Sequence, residues 1–328
     1  MSTDYRRKDT PAPARVSIVP DPEMEPVAIT SAAKDDEDLL NRFWVALLVA
    51  FLGVVGTMLT ITGGNGGFQG VLVALLLHTV PGLAIGVVYR LRGLDLILSW
   101  FVGSLAVLIL CSLPMALTSF WHPRVMATLI LLASTAVAVW VACKRPPTLE
   151  ATWVRRTGRA MIGPIGLATA GFLVAVLAAA AQPQSPALYG AALAAGPLWF
   201  LGLGAIVFAV CWAFSSVGGR SWSIVLLATV VPMSQAVMYG TPTVQVAARH
   251  IGLVNLLVAN GGLDREAGIY QAYSGLFASS ALVQQAAGWP DLMMYAAVFG
   301  AVGAGVNCLA VAQLARYFVD DERAWWAG

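Results

Sequence analysis

Apolar residues run along this chain in eight long blocks, near 43–62, 67–89, 94–117, 125–143, 160–181, 188–214, 222–240 and 291–315. Short polar or glycine-rich stretches separate them. A helix that crosses a hydrocarbon layer of about 30 Å needs about 20 predominantly apolar residues, and each block is of that order. The pattern predicts an all-α, polytopic membrane helical bundle of about eight transmembrane helices. Pro81, Pro114, Pro164, Pro197 and Pro232 fall inside blocks, which membrane helices tolerate when neighbours re-satisfy the backbone.

Residues 1–39 are of another kind, rich in Pro, Asp, Glu and Lys and without apolar periodicity. They predict a disordered tail, drawn here as 1–42. The seven spans of 43–240 follow, then a connection over 241–290, then the last span and chain end over 291–328. Within the connection, a helix over 243–259 would gather Gln245, Arg249 and Gly252 within about 60° of one another at 100° per residue. Ile251, Val254 and Val258 would take the far side, and His250 would stand about 100° from Arg249. "ANGG" (259–262) supplies the Asn/Gly pair that ends helices in left-handed geometry. A second helix, expected over 267–287, has Asp264 as its N-cap. Tyr270, Tyr273, Ser274 and Phe277 then recur at i, i+3, i+4 and i+7. The connection reads as two amphipathic helices in an outward-facing loop, lying against the outer membrane face or packed into the bundle, with tyrosines placed as interfacial anchors.

Composition sharpens the class. The chain is 59% hydrophobic and 11% charged, against about 25% charged for a soluble domain. A net charge of +2 gives no ground for nucleic acid as a partner. The four cysteines lie in or beside apolar blocks without metal-like spacing and read as small buried hydrophobes. Lys and Arg cluster in the tail, at Arg90 and Arg92, at Lys144 to Arg159, at Arg220 and at Arg316 and Arg323. These fall on one side of eight alternating spans, so both termini are expected in the cytoplasm of a multi-pass plasma-membrane protein. Arg124, Arg249 and Arg265 depart from that rule.

Two stretches carry a resemblance. "MYGTPTVQVAARHIGLVNLLVANGGLD", continued by "IYQAYSGLFASSALVQQAAGWPD" and a span ending "LARYFVDDERAWWAG", is similar to actinobacterial polytopic membrane proteins of GT-C-type glycosyltransferase architecture. The upstream "LLLHTVPGLAIGVVYRLRGLDLIL" (75–98) is similar to the span and basic turn that open many of them. The resemblance covers about 66–328 and corresponds to the N-terminal part of that architecture, a truncated form. It implies transfer of a sugar from a polyprenyl-phosphate donor in cell-envelope assembly. GT-C enzymes place a carboxylate early in the first long outward loop, whereas here none occurs before Asp264. A non-catalytic membrane subunit, or a docking or transport-like protein whose partners are other membrane subunits, is the alternative.

Sugar transfer needs a general base and positive charge where the leaving phosphate develops negative charge. Asp264 is the candidate base, with Glu266 beside it. Arg249 and His250 are the candidates for a lipid-linked phosphate, and Tyr270 and Tyr273 for stacking on a sugar. No cofactor is expected, although the resemblance leaves room for a divalent metal. Outside the loop, His78 sits within the second block, where an ionisable group calls for a functional hypothesis. Donation to a carbonyl freed by Pro81 would serve equally. Asp95 is expected to cap a helix or pair with Arg92, and His122 to lie in a solvent-exposed turn.

Overall fold

The computed structural model describes residues 27–63, 67–144, 159–182, 194–213, 217–242, 245–264 and 274–319. The described residues are helical with short turns and contain no strand. The chain is an integral membrane protein: among the described residues, seven helices are long and apolar enough to cross a bilayer.

Helix α1 (Val27–Ile61) carries the first span, Arg42–Ile61. It begins fifteen residues ahead of that span, inside the segment expected to be disordered through residue 42. "SAAKDDEDLLNR" (31–42) is rich in good helix formers, which lets the apolar helix extend backward. The second span, Gly67–Val88, is broken into α2 (Gly67–Leu77) and α3 (Val80–Val88). Pro81 lies in the first turn of α3, where its missing N–H is no loss. The third span combines α4 (Gly93–Leu98), a wide π-type turn over Ser99–Gly103 and α5 (Ser104–Thr118). That turn sits against Gly82, where a side chain would collide with the Ser99 and Trp100 carbonyl oxygens. The orphan Gly82 N–H at the start of α3 is met by Ser104 Oγ at 2.8 Å, and Ser99 Oγ donates to the Gly82 carbonyl at 2.8 Å. Helix α6 (Pro123–Lys144) completes a first group around one apolar core with α1, α2, α3 and α5.

A second core joins α7 (Arg159–Ala180), α8 (Pro197–Trp212) and α9 (Val217–Tyr239). The segment read as the sixth span, 188–214, appears among the described residues as the 16 residues of α8, about 24 Å of helix. It runs antiparallel along α7: Trp212 meets Gly163, while Gly202 meets Gly171 and Ala175. Methyls at Gly171 and Gly202 would intrude on each other's helix, the first lying 2.7 Å from the Gly202 carbonyl oxygen. Small residues allow this backbone approach, which is how membrane helices pack without a hydrophobic driving force between them. Trp199 Nε1 donates to Ser234 Oγ at 2.8 Å, fixing α8 to α9.

The connection after α9 holds α10 (Gln245–Asn260) and α11 (Gly275–Ala287), and the chain closes with α12 (Met293–Ala315). Helix α10 is amphipathic: Ile251 and Val254 are buried as expected and Arg249 and Gly252 are exposed, but Leu257 is buried in place of Val258, which is half-buried. It ends at Gly261, whose φ of 63° is costly for residues with a Cβ. Of the two placements expected for it, helix α11 takes the one inside the bundle rather than the one on the outer face. Nine of its 13 residues are buried, and it is inserted among α2, α5 and α6. Its first residue, Gly275, packs on Ile109, nine positions short of the end of α5, or about 14 Å down that helix. Its last residue, Ala287, closes on Gly70 in the first turn of α2. Helix α11 therefore rises from mid-bundle to one end, called here the loop end; Arg90, Arg92 and Lys144 lie at the other, basic end. Irregular backbone at membrane depth is tolerated only when protein surrounds it, and burial by three spans meets that condition.

Helix α12 joins the two groups. It packs along α9 and reaches α4, where Leu309 and Ala312 meet Leu94 and Leu98. Asp95 accepts a 2.8 Å hydrogen bond from Gln313 Nε2 and so fastens α12 to α4. All four cysteines are free.

Candidate functional site

The loop residues singled out by sequence are not gathered at one point by the described structure. Asp264 is half-buried, just beyond the Gly261–Gly262 turn. Leu263 N donates to the Ala116 carbonyl at 3.1 Å, and Gly262 lies against Ser119, so the turn is held on the end of α5. Arg249 stands exposed on α10, eleven positions before Asn260, about 16 Å of helix. His250 is half-buried, its ring 5.3 Å from that of Phe277 on α11, which places it in the packing between the two helices. Glu266, Tyr270 and Tyr273 lie outside the described residues, as does the start of the second helix expected from 267. Among the described residues, no group of three or more His, Cys, Asp or Glu side chains is placed to hold a metal.

The structure builds instead two cavities that share a wall. The first, of about 700 Å3, lies at the loop end, between the start of α6 and the end of α11. Trp121, His122, Arg124, Gln284, Gln285 and Trp289 line it, with no carboxylate among the described residues of its lining. Trp121 Nε1 donates to Gln285 Oε1 at 2.8 Å, and Arg124 Nε donates to the Gln285 carbonyl at 3.4 Å. These bonds tie α11 to α6 and use one of the five guanidinium N–H donors. His122 is exposed and stacks on Phe120, ring centroids 4.4 Å apart. Arg124 gives this mouth its cation, with the His122 imidazole beside it, and Asp291 stands on the adjoining wall past Pro290.

The second cavity, of about 540 Å3, extends from there into the bundle. Trp289 and Pro290 belong to both linings. One wall is a single stripe of α12 and its lead-in: Asp291, Met294, Tyr295, Val298, Phe299 and Val302. Those positions follow the i, i+3, i+4 spacing of one helix face. The opposite wall is the matching stripe of α2, Val71, Ala74, Leu75 and His78, and Trp100 and Phe101 of the π-type turn lie at its base. From Asp291 to Val302 the slot is about 16 Å deep. Its lining is almost wholly apolar, with rings of Trp289, Tyr295, Phe299 and Phe101 in succession, centroids 5.5–5.9 Å apart.

A polar rung crosses this apolar slot. His78 Nδ1 lies 2.9 Å from the Ala74 carbonyl oxygen. A carbonyl can only accept, so the proton is on Nδ1. In the neutral ring Nε2 is then an acceptor, and it receives the Tyr295 hydroxyl at 3.1 Å. The Tyr295 phenol also hydrogen-bonds with Ser280 of α11. The carbonyl that Pro81 leaves without its helical donor is that of Leu77, four residues before it; His78 bonds Ala74 instead. Thus one imidazole links the break between α2 and α3 to α12, and through Tyr295 to α11.

Sequence reading flagged His78 as an intramembrane ionisable group but missed its partner, 217 residues away. It also missed Arg124 as a binding group, although that residue stood out as a cation on the wrong side. Among protein-family models, curated proteins and solved structures, none matches this chain.

Proposed function

We propose that this membrane protein binds a lipid with an anionic head group at the loop end of its bundle, and that the lipid is a polyprenyl-phosphate-linked sugar. The observation that carries the reading is the mouth with its Arg124 cation and His122 imidazole, opening over an apolar slot through the shared Trp289–Pro290 wall. An amphiphile has the same division of polarity. The loop end would face away from the cytoplasm, with both termini on the cytoplasmic side of the plasma membrane, as the Lys/Arg distribution favours.

In the catalytic form of this reading, the acceptor's hydroxyl oxygen forms a bond to the anomeric carbon as the bond from that carbon to the phosphate oxygen breaks. The electron pair leaves on the phosphate, where Arg124 offsets the developing charge, and the hydroxyl proton passes to a carboxylate, Asp264 or Glu266. Arg249 and His250 remain candidates for the phosphate, and Tyr270 and Tyr273 for stacking on a sugar. Asp264 lines neither cavity, which favours the second reading: a non-catalytic subunit that holds the lipid for another membrane protein.

The test is turnover by purified protein given a polyprenyl-phosphate sugar and a sugar acceptor. Loss of a general base costs about 10²–10⁴ in rate. Asparagine caps helices about as well as aspartate, so Asp264→Asn separates base from cap. A drop of that size supports catalysis; a parent protein that binds the lipid but never turns it over establishes the holding role. Failure of the lipid to bind, with or without Arg124→Gln, removes both.

A further inference from the structure

The slot between α2 and α12 has a role of its own. Val71, Leu75 and Met294 of its walls are 52%, 54% and 48% exposed on the flank of the bundle, so the slot is open sideways in its upper part. In a bilayer that opening meets lipid. Inside, His78 and Tyr295 satisfy each other, while the Asp291 carboxylate stands exposed at the top of the slot and accepts from Met293 N. His78 Nδ1–H is taken by Ala74 and its Nε2 by Tyr295. An apolar guest therefore leaves no buried donor or acceptor unmet, the condition under which a polar pair can line a dry site. The top of the slot joins the Arg124 mouth at Trp289 and Pro290.

We infer that the slot is the seat of a single prenyl chain that enters sideways from the bilayer while its phosphate settles at Arg124. This rests on the lipid-phosphate reading of the loop-end pocket and adds the path and place of the hydrocarbon. Of the available occupants, a chain with one charged end fits the arrangement: an apolar slot about 16 Å deep, closed at its base by Trp100 and Phe101 and with the Arg124 cation at its mouth. A free anion would leave the slot empty, and a soluble apolar molecule would leave the cation unused.

The experiment uses the full chain in vesicles of phosphatidylethanolamine and phosphatidylglycerol, with farnesyl phosphate and farnesol, each carrying a diazirine at the far end of the chain. After photolysis, labelled peptides are located by mass spectrometry. We expect farnesyl phosphate to label 71–79 and 294–302 preferentially. Val298→Trp, which fills the slot from α12, should lower that labelling at least tenfold. Val71→Trp fills it from the exposed edge of α2 and should act in the same direction, so a folding defect in one variant does not decide the matter. Leu177→Trp, on the exposed face of α7, should change nothing. Label spread evenly over exposed faces, or indifference to both filling variants, overturns the chain seat. Arg124→Gln distinguishes the two layers of the argument. If the slot is labelled equally by farnesol and farnesyl phosphate and ignores Arg124→Gln, the head-group reading falls while the chain seat stands. If farnesyl phosphate is retained through Arg124 without slot labelling, only the chain seat falls.

Discussion

Removing one oxygen from the slot tests how its polar rung is held. Tyr295→Phe keeps the ring among Trp289, His78 and Phe299 and deletes the hydroxyl that His78 Nε2 accepts. Moving the proton to Nε2 gives no escape, because Nδ1 would then face the Ala74 carbonyl acceptor to acceptor. His78 is 9% exposed, so bulk water does not replace the partner. Interhelical hydrogen bonds in a membrane bundle are worth about 0.6 kcal/mol on average and about 1.7 at most. Leaving a buried acceptor unmet costs about 1–3 kcal/mol. The lower part of that range applies where the unfolded state remains in micelle, so we expect a loss of about 1–2 kcal/mol. Replacing both partners by apolar groups approaches neutrality, so His78→Leu with Tyr295→Phe should lose less than the two single changes added together. A coupling of about 1 kcal/mol is the expectation for residues in contact. The assay is unfolding in mixed micelles under rising dodecyl sulfate, followed by tryptophan fluorescence, with Ser280→Ala in each background to separate the second bond of Tyr295. Additivity within about 0.3 kcal/mol would refute the rung as an energetic link between α2 and α12.

Three further outcomes follow from the packing and charge pattern. Gly171→Val drives a branched side chain into the Gly202 carbonyl and Ala205, and should cost about 1–3 kcal/mol as overpacking does, read in the same unfolding assay against Gly204→Val, which has open space. Gln285→Leu removes the acceptor of Trp121 Nε1 while leaving its own carbonyl for Arg124; a stability loss of about 1 kcal/mol with unchanged farnesyl phosphate binding is expected, and lost binding would mean that the amide itself meets the head group. For topology, Arg265→Cys should react with an impermeant thiol reagent in whole cells, and Thr157→Cys only after lysis. The reverse pattern would invert the bundle.

The spans were legible because each needs only a run of apolar residues, and runs survive in a linear reading. The apolar face of α10 was legible in Ile251 and Val254, with Leu257 rather than Val258 in the third buried place, and Gly261–Gly262 marks its end. Helix α11 was not. "GLFASSALVQQAA" has mild polarity on every side, and its burial follows from where α2, α5 and α6 stand rather than from its own period. Gln285 looks like a surface residue until Trp121, 164 residues away, is placed against it. The slot was hidden for the same reason. Its two stripes are ordinary helix faces, and only their juxtaposition, with His78 meeting Tyr295, makes a site.

The short buried helix also constrains how the protein is made. Helix α11 has 13 residues, too few to span a hydrocarbon layer that takes about 20. It cannot be committed to the bilayer as an independent segment, so it has to be accepted by helices already in place. Its hosts, α2, α5 and α6, leave the ribosome more than 130 residues before it, since α6 ends at Lys144. At roughly 5–20 residues per second, the first helical group waits on the order of ten seconds or longer with its central place unfilled. During that interval the group is an open receptor inside the membrane, and an assembly factor or stray lipid has time to occupy it. Late arrival of α11 would then be the step that closes the amino-terminal group, rather than the emergence of any spanning helix.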